Sequence, residues 1–385
     1  MSLISIVLFF LVLGVLVFIH EFGHFVTAVK SGIKAEEFGF GFPPRLAGLT
    51  KDDKSGKWRV IFGDKEIVSK HTVYSLNWIP FGGFVRMKGE DENSLLEDDS
   101  FAAKSAATRI LVLAAGVTMN FVLAWALISS LYFLGFPQPV TDENRSQAKN
   151  VSIQILAISQ GSPAEKMGIH AGDMLVSIDT IAISDLPQAQ SLIAERKGKE
   201  VSVGLDRGGK KITLSGTPRP DPLQGEGALG ITFAEVGTLR YPWYQAPIMG
   251  IVATWNVTVS IFVALASMVK NLVMGQGSGG DVTGPIGIVY VTKQMSDLGF
   301  SYLVQFAAIL SVNLAIFNIL PFPALDGGRI LFILIEKIKG SPVRTVVEQR
   351  AHQVGFFLLL LAMAAVTIRD FSKFDLLRKI GGLFS

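Results

Sequence analysis

The chain has 385 residues, 49% of them hydrophobic and only 17% charged, where a soluble domain carries about 25% charge. Its net charge is +3 without a long basic block, so no nucleic-acid partner is indicated, and the absence of cysteine excludes disulfides, cysteine-ligated zinc and a cysteine nucleophile. This is the composition of a membrane protein with a soluble insert, in contact with the lipid bilayer, and it makes the five histidines informative.

Residues 1–19 form an uncharged, mostly apolar run, long enough to cross a bilayer as a helix. The run has no basic n-region and no small-residue cleavage site, so it reads as a retained span rather than a signal peptide. It leads into His20-Glu21-Phe22-Gly23-His24, and the apolar character continues to about residue 29. On a helix, His20 and His24 stand one turn apart on one face, so both imidazoles can bind one metal ion. Glu21 lies beside them, placed to take a proton from an attacking water. The bland alternative is a chance His-Glu-x-x-His at the edge of an ordinary membrane helix. Two His and a Glu deep in an apolar segment are costly, which favours the functional reading.

Residues 30–104 form a polar connection rich in Lys and Arg. Residues 58–62, Gly63-Asp64 and residues 66–68 read as strand, turn and strand. The stretch Trp78-Ile79-Pro80-Phe81-Gly82-Gly83-Phe84-Val85-Arg86-Met87 is apolar and aromatic but too short to span. It reads as a loop dipping into the bilayer, with a buried hairpin as the alternative. Residues 90–99 are acidic and read as a solvated segment. Further apolar runs lie at 110–140, 252–268, 298–325 and 353–368. Between the first two of these, residues 141–237 mix charge with short alternating strands at 151–158, 174–178, 201–205 and 211–214, the pattern of a small soluble domain. Residues 275–287 are glycine-rich and read as a loop.

The run at 298–325 ends in Asn318-Ile319-Leu320-Pro321-Phe322-Pro323-Ala324-Leu325-Asp326-Gly327-Gly328. Two prolines break the helix and bend the chain, and Asp326 then arrives at membrane depth. Catalytic zinc takes three protein ligands, and His20, His24 and Asp326 make a two-His, one-carboxylate set. Asp before Gly-Gly is also a common helix cap or turn, and both readings stay open on these residues alone.

His20–His24 in a first membrane helix and Leu325-Asp326-Gly327 in a late one resemble the site-2 intramembrane metalloproteases. Gly116-Val117-Thr118-Met119-Asn120 resembles that family's Gly-x-x-x-Asn motif, and residues 81–87 resemble its membrane-dipping β loop. Ser162-Pro163-Ala164-Glu165, followed by Gly168-Ile169-His170-Ala171-Gly172-Asp173, resembles a bacterial PDZ domain. Within the family the chain is most similar to the bacterial RseP-like regulator of sigma-E proteases. It has room for one PDZ domain where the best-known members carry two, which bears on substrate gating and not on the chemistry.

The resemblance implies a multi-pass α-helical membrane protein with a membrane-dipping β loop and one inserted α+β PDZ-like domain. It divides into an N-terminal membrane part (1–140), an extracytoplasmic PDZ-like domain (141–237), a non-spanning apolar segment with a Gly-rich loop (238–297) and a C-terminal membrane part (298–385). It implies zinc on His20, His24 and Asp326, with Glu21 as the catalytic base. Substrate or oxyanion contacts fall on Asn318, with Asn120, Gly82, Gly83 and Phe84 as further candidates; for both asparagines an interhelical hydrogen bond is the equal alternative. Ser311 and Asn313 read as such hydrogen bonds. His71, His170 and His352 read as solvated or interfacial residues. The reaction is hydrolysis of a peptide bond in or near the single transmembrane helix of a membrane-protein substrate, such as an anti-sigma factor or a signal-peptide remnant. The PDZ-like domain would take a peptide ligand. A membrane metal transporter or receptor without proteolysis is one alternative class, against which stand the single visible metal site and the lack of an acidic path; a PDZ scaffold with a degenerate membrane part is another, against which stands the intact Glu21, since a purely structural zinc site needs no base.

Metal residues must share one depth, so the first and the Asp326-bearing spans run in the same direction and the second runs the opposite way. Residues 252–268 then should not cross, which leaves four spans. Positive charge at 30–109 and 337–350 puts those segments in the cytoplasm. The expected location is the bacterial cytoplasmic (inner) membrane, with both termini and the PDZ-like domain extracytoplasmic.

Overall fold

The computed structural model describes residues 3–64, 69–90, 97–142, 144–159, 161–222, 227–275, 283–341 and 343–373, the side chains of Pro80 and Phe81 excepted. In chain order the elements are α1 (Leu3–Lys30), β1 (Ala35–Lys51), β2 (Trp58–Phe62), β3 (Val73–Met87), α2 (Ala106–Leu134), β4 (Phe136–Pro139) and β5 (Lys149–Ile158). Then follow α3 (Pro163–Met167), β6 (Met174–Ile178), β7 (Ile181–Ala182), α4 (Leu186–Glu195), β8 (Val201–Arg207), β9 (Lys210–Gly216) and β10 (Ile231–Leu239). The chain closes with α5 (Ala246–Val273), α6 (Pro285–Leu298), α7 (Phe300–Ile319), α8 (Asp326–Lys339) and α9 (Thr345–Lys373). They divide into two units, residues 1–127, 251–292 and 306–385 in the first, and 128–250 and 293–305 in the second.

Among the described residues, α1, α2, α5, α7 and α9 are long and apolar enough to cross a membrane. They fit a multi-pass membrane protein, their exposed side chains being largely apolar, as at Leu3, Val7 and Leu11 of α1 or Phe356, Leu358 and Leu361 of α9. Several bounds differ from the sequence expectation. The helix expected at 110–140 stops at Leu134, because Gly135 takes φ +84, and its two prolines go into β4 instead. Helix α5 extends the 252–268 run at both ends, Pro247 fitting in its first turn, where no helical N–H is needed. The 298–325 run stops at Ile319, ahead of Pro321 and Pro323. Pro285, Ile286 and Gly287, expected in a loop, form the first turn of α6, held by buried Asp370 of α9, which accepts from Gly284 N and Gly287 N (2.8 Å for the latter).

In the first unit β1 and β3 each fold back on themselves. Residues 37–40 of β1 pair with 73–76 of β3 on one side and with 83–86 on the other, while 45–49 pair with the outer side of 74–77. β2 adds to 47–51. The apolar stretch 78–87 is thus strand, and residues 83–87 form one edge of the sheet. β2 pairs with the chain before it; the partner expected at 66–68, and most of the acidic segment at 90–99, lie outside the described residues. Trp58, Val60, Phe62, Leu49, Tyr74 and Leu76 are exposed while Glu37, Arg45, Ser75 and Asn77 are buried, Arg45 donating to Glu37 at 2.7 Å. Polar groups inside and apolar groups outside invert the arrangement of a soluble sheet.

The second unit holds a seven-stranded sheet in the order β4-β10-β5-β6-β8-β9, with β7 on β6. Ile153, Ile155, Ile178, Val203, Leu205, Ala189 and Leu229 fill its core. Ser162 caps α3 by accepting from Glu165 N, and Asp185 caps α4 by accepting from Gln188 N. Buried Asp173 takes two bonds of 2.7 Å from Arg207. Tyr302, at the start of α7, donates to Gln154 Oε1 of β5 at 2.5 Å.

Candidate metal centre

The first two members of the site come from α1. Gly23 lets that helix meet α2 at backbone distance: a Cβ there would stand 2.5 Å from Ala115 O. Gly116 leaves room for both imidazoles. His24 Nδ1 donates to Val112 O at 2.8 Å, which puts its proton on Nδ1 and leaves the Nε2 lone pair free. His20 Nδ1 lies 3.2 Å from the Asn120 amide nitrogen, while Asn120 Oδ1 is buried without a partner. The oxygen and nitrogen of an amide exchange places by a half-turn of the group, and the hydrogen bonds decide between the two. Turning the amide lets Oδ1 accept from His20 Nδ1–H, which satisfies the orphaned oxygen and frees His20 Nε2 in the same way.

The third member arrives from α7. After Ile319 the chain turns through residues 320–325, closed by Phe322 N to Leu320 O (2.7 Å) and Leu325 N to Phe322 O (3.2 Å). The turn is too tight for side chains behind Asp326: a Cβ on Gly327 would stand 2.2 Å from Ile319 O and one on Gly328 2.3 Å from Phe322 O. The N-cap position of α8 is Leu325, which makes no side-chain cap bond. The Asp326 carboxylate turns to the histidines. Its Oδ2 lies 3.0 Å from His20 Nε2 and 3.3 Å from His24 Nε2, and the two Nε2 atoms are 3.1 Å apart.

These three atoms are electron-pair donors, and Oδ2 is buried without a well-formed hydrogen bond despite its closeness to both rings. Zinc bonds of about 2.0–2.2 Å at tetrahedral angles separate neighbouring ligand atoms by about 3.3–3.6 Å. A triangle with sides of 3.0, 3.1 and 3.3 Å fits that requirement with little adjustment. His20, His24 and Asp326 are also the group of His, Cys, Asp and Glu residues able to hold one ion among those described.

Glu21 Oε2 accepts from Val85 N on the edge of the sheet, at 3.2 Å. Gly82 and Gly83 are buried and Phe84 half-buried there, and a Cβ on Gly83 would face Glu21 Cγ at 3.8 Å. The Asn318 amide lies 3.4 Å from His20 Nε2. Asn120, a candidate substrate contact in the sequence, is fully buried with its amide against His20. Ser311 makes the expected interhelical bond, to Asn120 O at 2.8 Å, but Asn313 bonds Ile309 O in its own helix. His71 and His170 are exposed. His352 is not simply interfacial: its Nδ1 accepts from Ala324 N at 2.8 Å. Sequence reasoning missed it because no local spacing joins it to the site.

The sequence matches Peptidase family M50 over residues 8–63 and 54–362. The chain belongs to peptidase family M50. A candidate zinc metalloprotease of Clostridium acetobutylicum is 32% identical over 377 residues, covering 96% of this chain and 98% of that one. Zinc metalloprotease RasP is 29% identical in Oceanobacillus iheyensis, covering 96% of this chain and 99% of that one. RasP of Geobacillus kaustophilus is 28% identical, with 97% and 99% covered. The PDZ domain of an SdrC-like protein from Listeria monocytogenes is similar over 21% of this chain and 86% of its own, at 23% identity and a TM-score of 0.20. This M50 protease is thus an intramembrane zinc metalloprotease, and the transporter reading gains no support.

Proposed function

We propose that His20, His24 and Asp326 hold the zinc, that Glu21 is the catalytic base, and that the substrate is the unwound transmembrane helix of a membrane protein. The observation that carries this reading is the triangle of donor atoms with Glu21 beside it, bonded to an open sheet edge. Zinc held there supplies a Lewis acid for the scissile carbonyl and lowers the pKa of water. Glu21 takes the proton of the attacking water and passes it to the leaving amine. The Asn318 amide donates toward the carbonyl oxygen as it gains charge.

Helical peptide bonds are shielded, so the substrate must be extended before it is cut. The 83–87 edge can take an extended segment by strand addition, and Val85 N–H to Glu21 puts that segment beside the base. The exposed apolar face of the sheet fits a position dipping into the bilayer, with its polar groups satisfied inside.

The sheet of residues 136–239 serves as a PDZ-like peptide-binding domain. Its candidate groove is a cavity of about 350 Å³ between α4 and β10, lined by Ile193, Lys197, Leu229, Ile231 and Phe233. An extended peptide added along residues 231–234 of β10, on the side that β4 pairs only from Val236 onward, would set its side chains into that cavity.

The span count is four: α1, α2, α7 and α9. A shared metal site makes α1 and α7 parallel, so crossings between α2 and α7 number zero or two. A crossing by α5 would have to be undone before α7, and the described helix available, α6, has 14 residues, about 21 Å against a core of about 30 Å. Lys and Arg at 30–109, with Lys337, Lys339, Arg344 and Arg350, mark the cytoplasmic side of a bacterial cytoplasmic membrane, and the PDZ-like domain lies outside.

The test is cleavage of a synthetic membrane-helix substrate by purified protein, with zinc analysis alongside. Asp326→Ala is expected to lose both zinc and cleavage. A variant that keeps its full zinc content would make Asp326 a turn residue and end the three-ligand reading.

A further inference from the structure

We infer that His352 is a positioning residue: through a hydrogen bond to Ala324 N–H it holds the turn that brings Asp326 to His20 and His24. The inference rests on Asp326 being a zinc ligand. Between the end of α7 and Asp326 the chain has no helical bonds of its own to fix it, and Ala324 sits at φ +80. This is the left-handed region, where a Cβ crowds the backbone and a residue persists only if its surroundings hold it. The holding group is on α9. Ala324 N–H donates to His352 Nδ1 at 2.8 Å. One turn later, Gly355 lies so close that a Cβ would stand 2.5 Å from Pro323 O. α9 thus presses on Pro323 and bonds Ala324, two residues before the carboxylate.

The bond sets the chemical form of the ring. Nδ1 must offer its lone pair, so the proton is on Nε2. Nε2 has no partner of its own within hydrogen-bond reach; the closest carboxylate, Glu348 Oε1, is 3.9 Å away. Phe332 of α8 packs on the ring at 5.6 Å between centroids. The side chain needed at 352 is therefore a hydrogen-bond acceptor of fixed orientation. A Phe would fill the space and leave Ala324 N–H unsatisfied, whereas a Gln could accept the same bond.

The experiment compares His352→Phe, His352→Gln, Asp326→Ala and the double variant His352→Phe with Ala324→Gly, all as full-length protein in detergent. The readouts are zinc affinity in competition with a chelator, the visible spectrum of the cobalt-substituted protein, and kcat and KM on a membrane-helix substrate. Losing a group that orients a ligand weakens metal binding about 10–100-fold. His352→Phe is expected to fall in that range, with an altered cobalt spectrum and a loss in kcat rather than KM. His352→Gln should recover most of the affinity. Ala324→Gly should recover part of it in the Phe background, because glycine adopts φ +80 without strain. Unchanged zinc affinity and cobalt spectrum in His352→Phe would overturn the inference, as would equal losses in the Phe and Gln variants. If His352→Phe does not fold, His352→Gln decides: it must bind zinc and cobalt as the parent does. Full zinc retention by Asp326→Ala would instead remove the ligand reading, whatever His352 does.

Discussion

Gly116 of α2 lies beneath His24 of α1 at a separation no side chain could fill: a Cβ on Gly116 would stand 2.4 Å from His24 Nε2 and 2.8 Å from His20 Cε1. The glycine of α2 thus gives both imidazoles of the candidate metal centre the room they occupy. Gly116→Ala should displace both imidazoles and lower cleavage at least ~100-fold, with zinc lost in parallel. The protein should still insert, because alanine is a good helix former. Zinc analysis of the purified variant checks this, and full occupancy would show that the helices can move apart at no cost to the site.

Glu21→Gln should keep zinc and fold while cleavage falls by about 10²–10⁴, since an amide cannot accept the proton. The Gln side chain can still accept from Val85 N–H through its carbonyl oxygen, so the sheet edge should stay in place. Turnover near the parent rate would remove Glu21 from the chemistry.

Asn120 tests the orientation of its own amide. If Oδ1 accepts from His20 Nδ1–H, Asn120→Asp keeps an acceptor and should retain zinc, whereas Asn120→Leu should weaken it about 10–100-fold. Chelator competition on the two variants reads the difference. Loss in Asp together with retention in Leu would reverse the assignment.

The soluble sheet should be separable from the centre. Tyr241 N donates to Tyr132 O at 2.9 Å, so the chain leaves and returns at adjacent points. Excising residues 136–240 with a short linker removes β4 to β10 whole, whereas a cut confined to 147–218 would leave β10 without β5. The excised protein should bind zinc as before and change in which substrates it cuts. Loss of zinc from a protein that still inserts would argue against separability.

Topology can be read by labelling single cysteines, since the chain has none of its own. Cysteines at Gly161 and Gly275 should react with an impermeant reagent from outside, and one at Ser341 should not. Protection of Gly275 would mean that α5 crosses and that the chain returns between it and α7.

Some of this protein is fixed by local sequence. A low charge fraction and long apolar runs determine its membrane class, and the four-residue spacing of His20 and His24 puts both rings on one helix face whatever surrounds them. Strands at 151–158, 174–178, 201–205 and 211–214 were legible for the same reason, an alternation with a period of two. Tertiary structure decided the rest. Asp326 by itself reads as a cap until α7 and α1 lie side by side, and only then does its carboxylate meet two imidazoles. Asn120 and His352 carry no local signal that tells ring-orienting from helix-joining amides, or a turn-holding from an interfacial histidine. Phe136–Pro139 looks like the end of a span until β10 offers it a partner. Hydropathy and period are properties of one segment. Which face meets which partner depends on contacts between segments far apart in the chain, and those are settled only when the helices and the sheet pack.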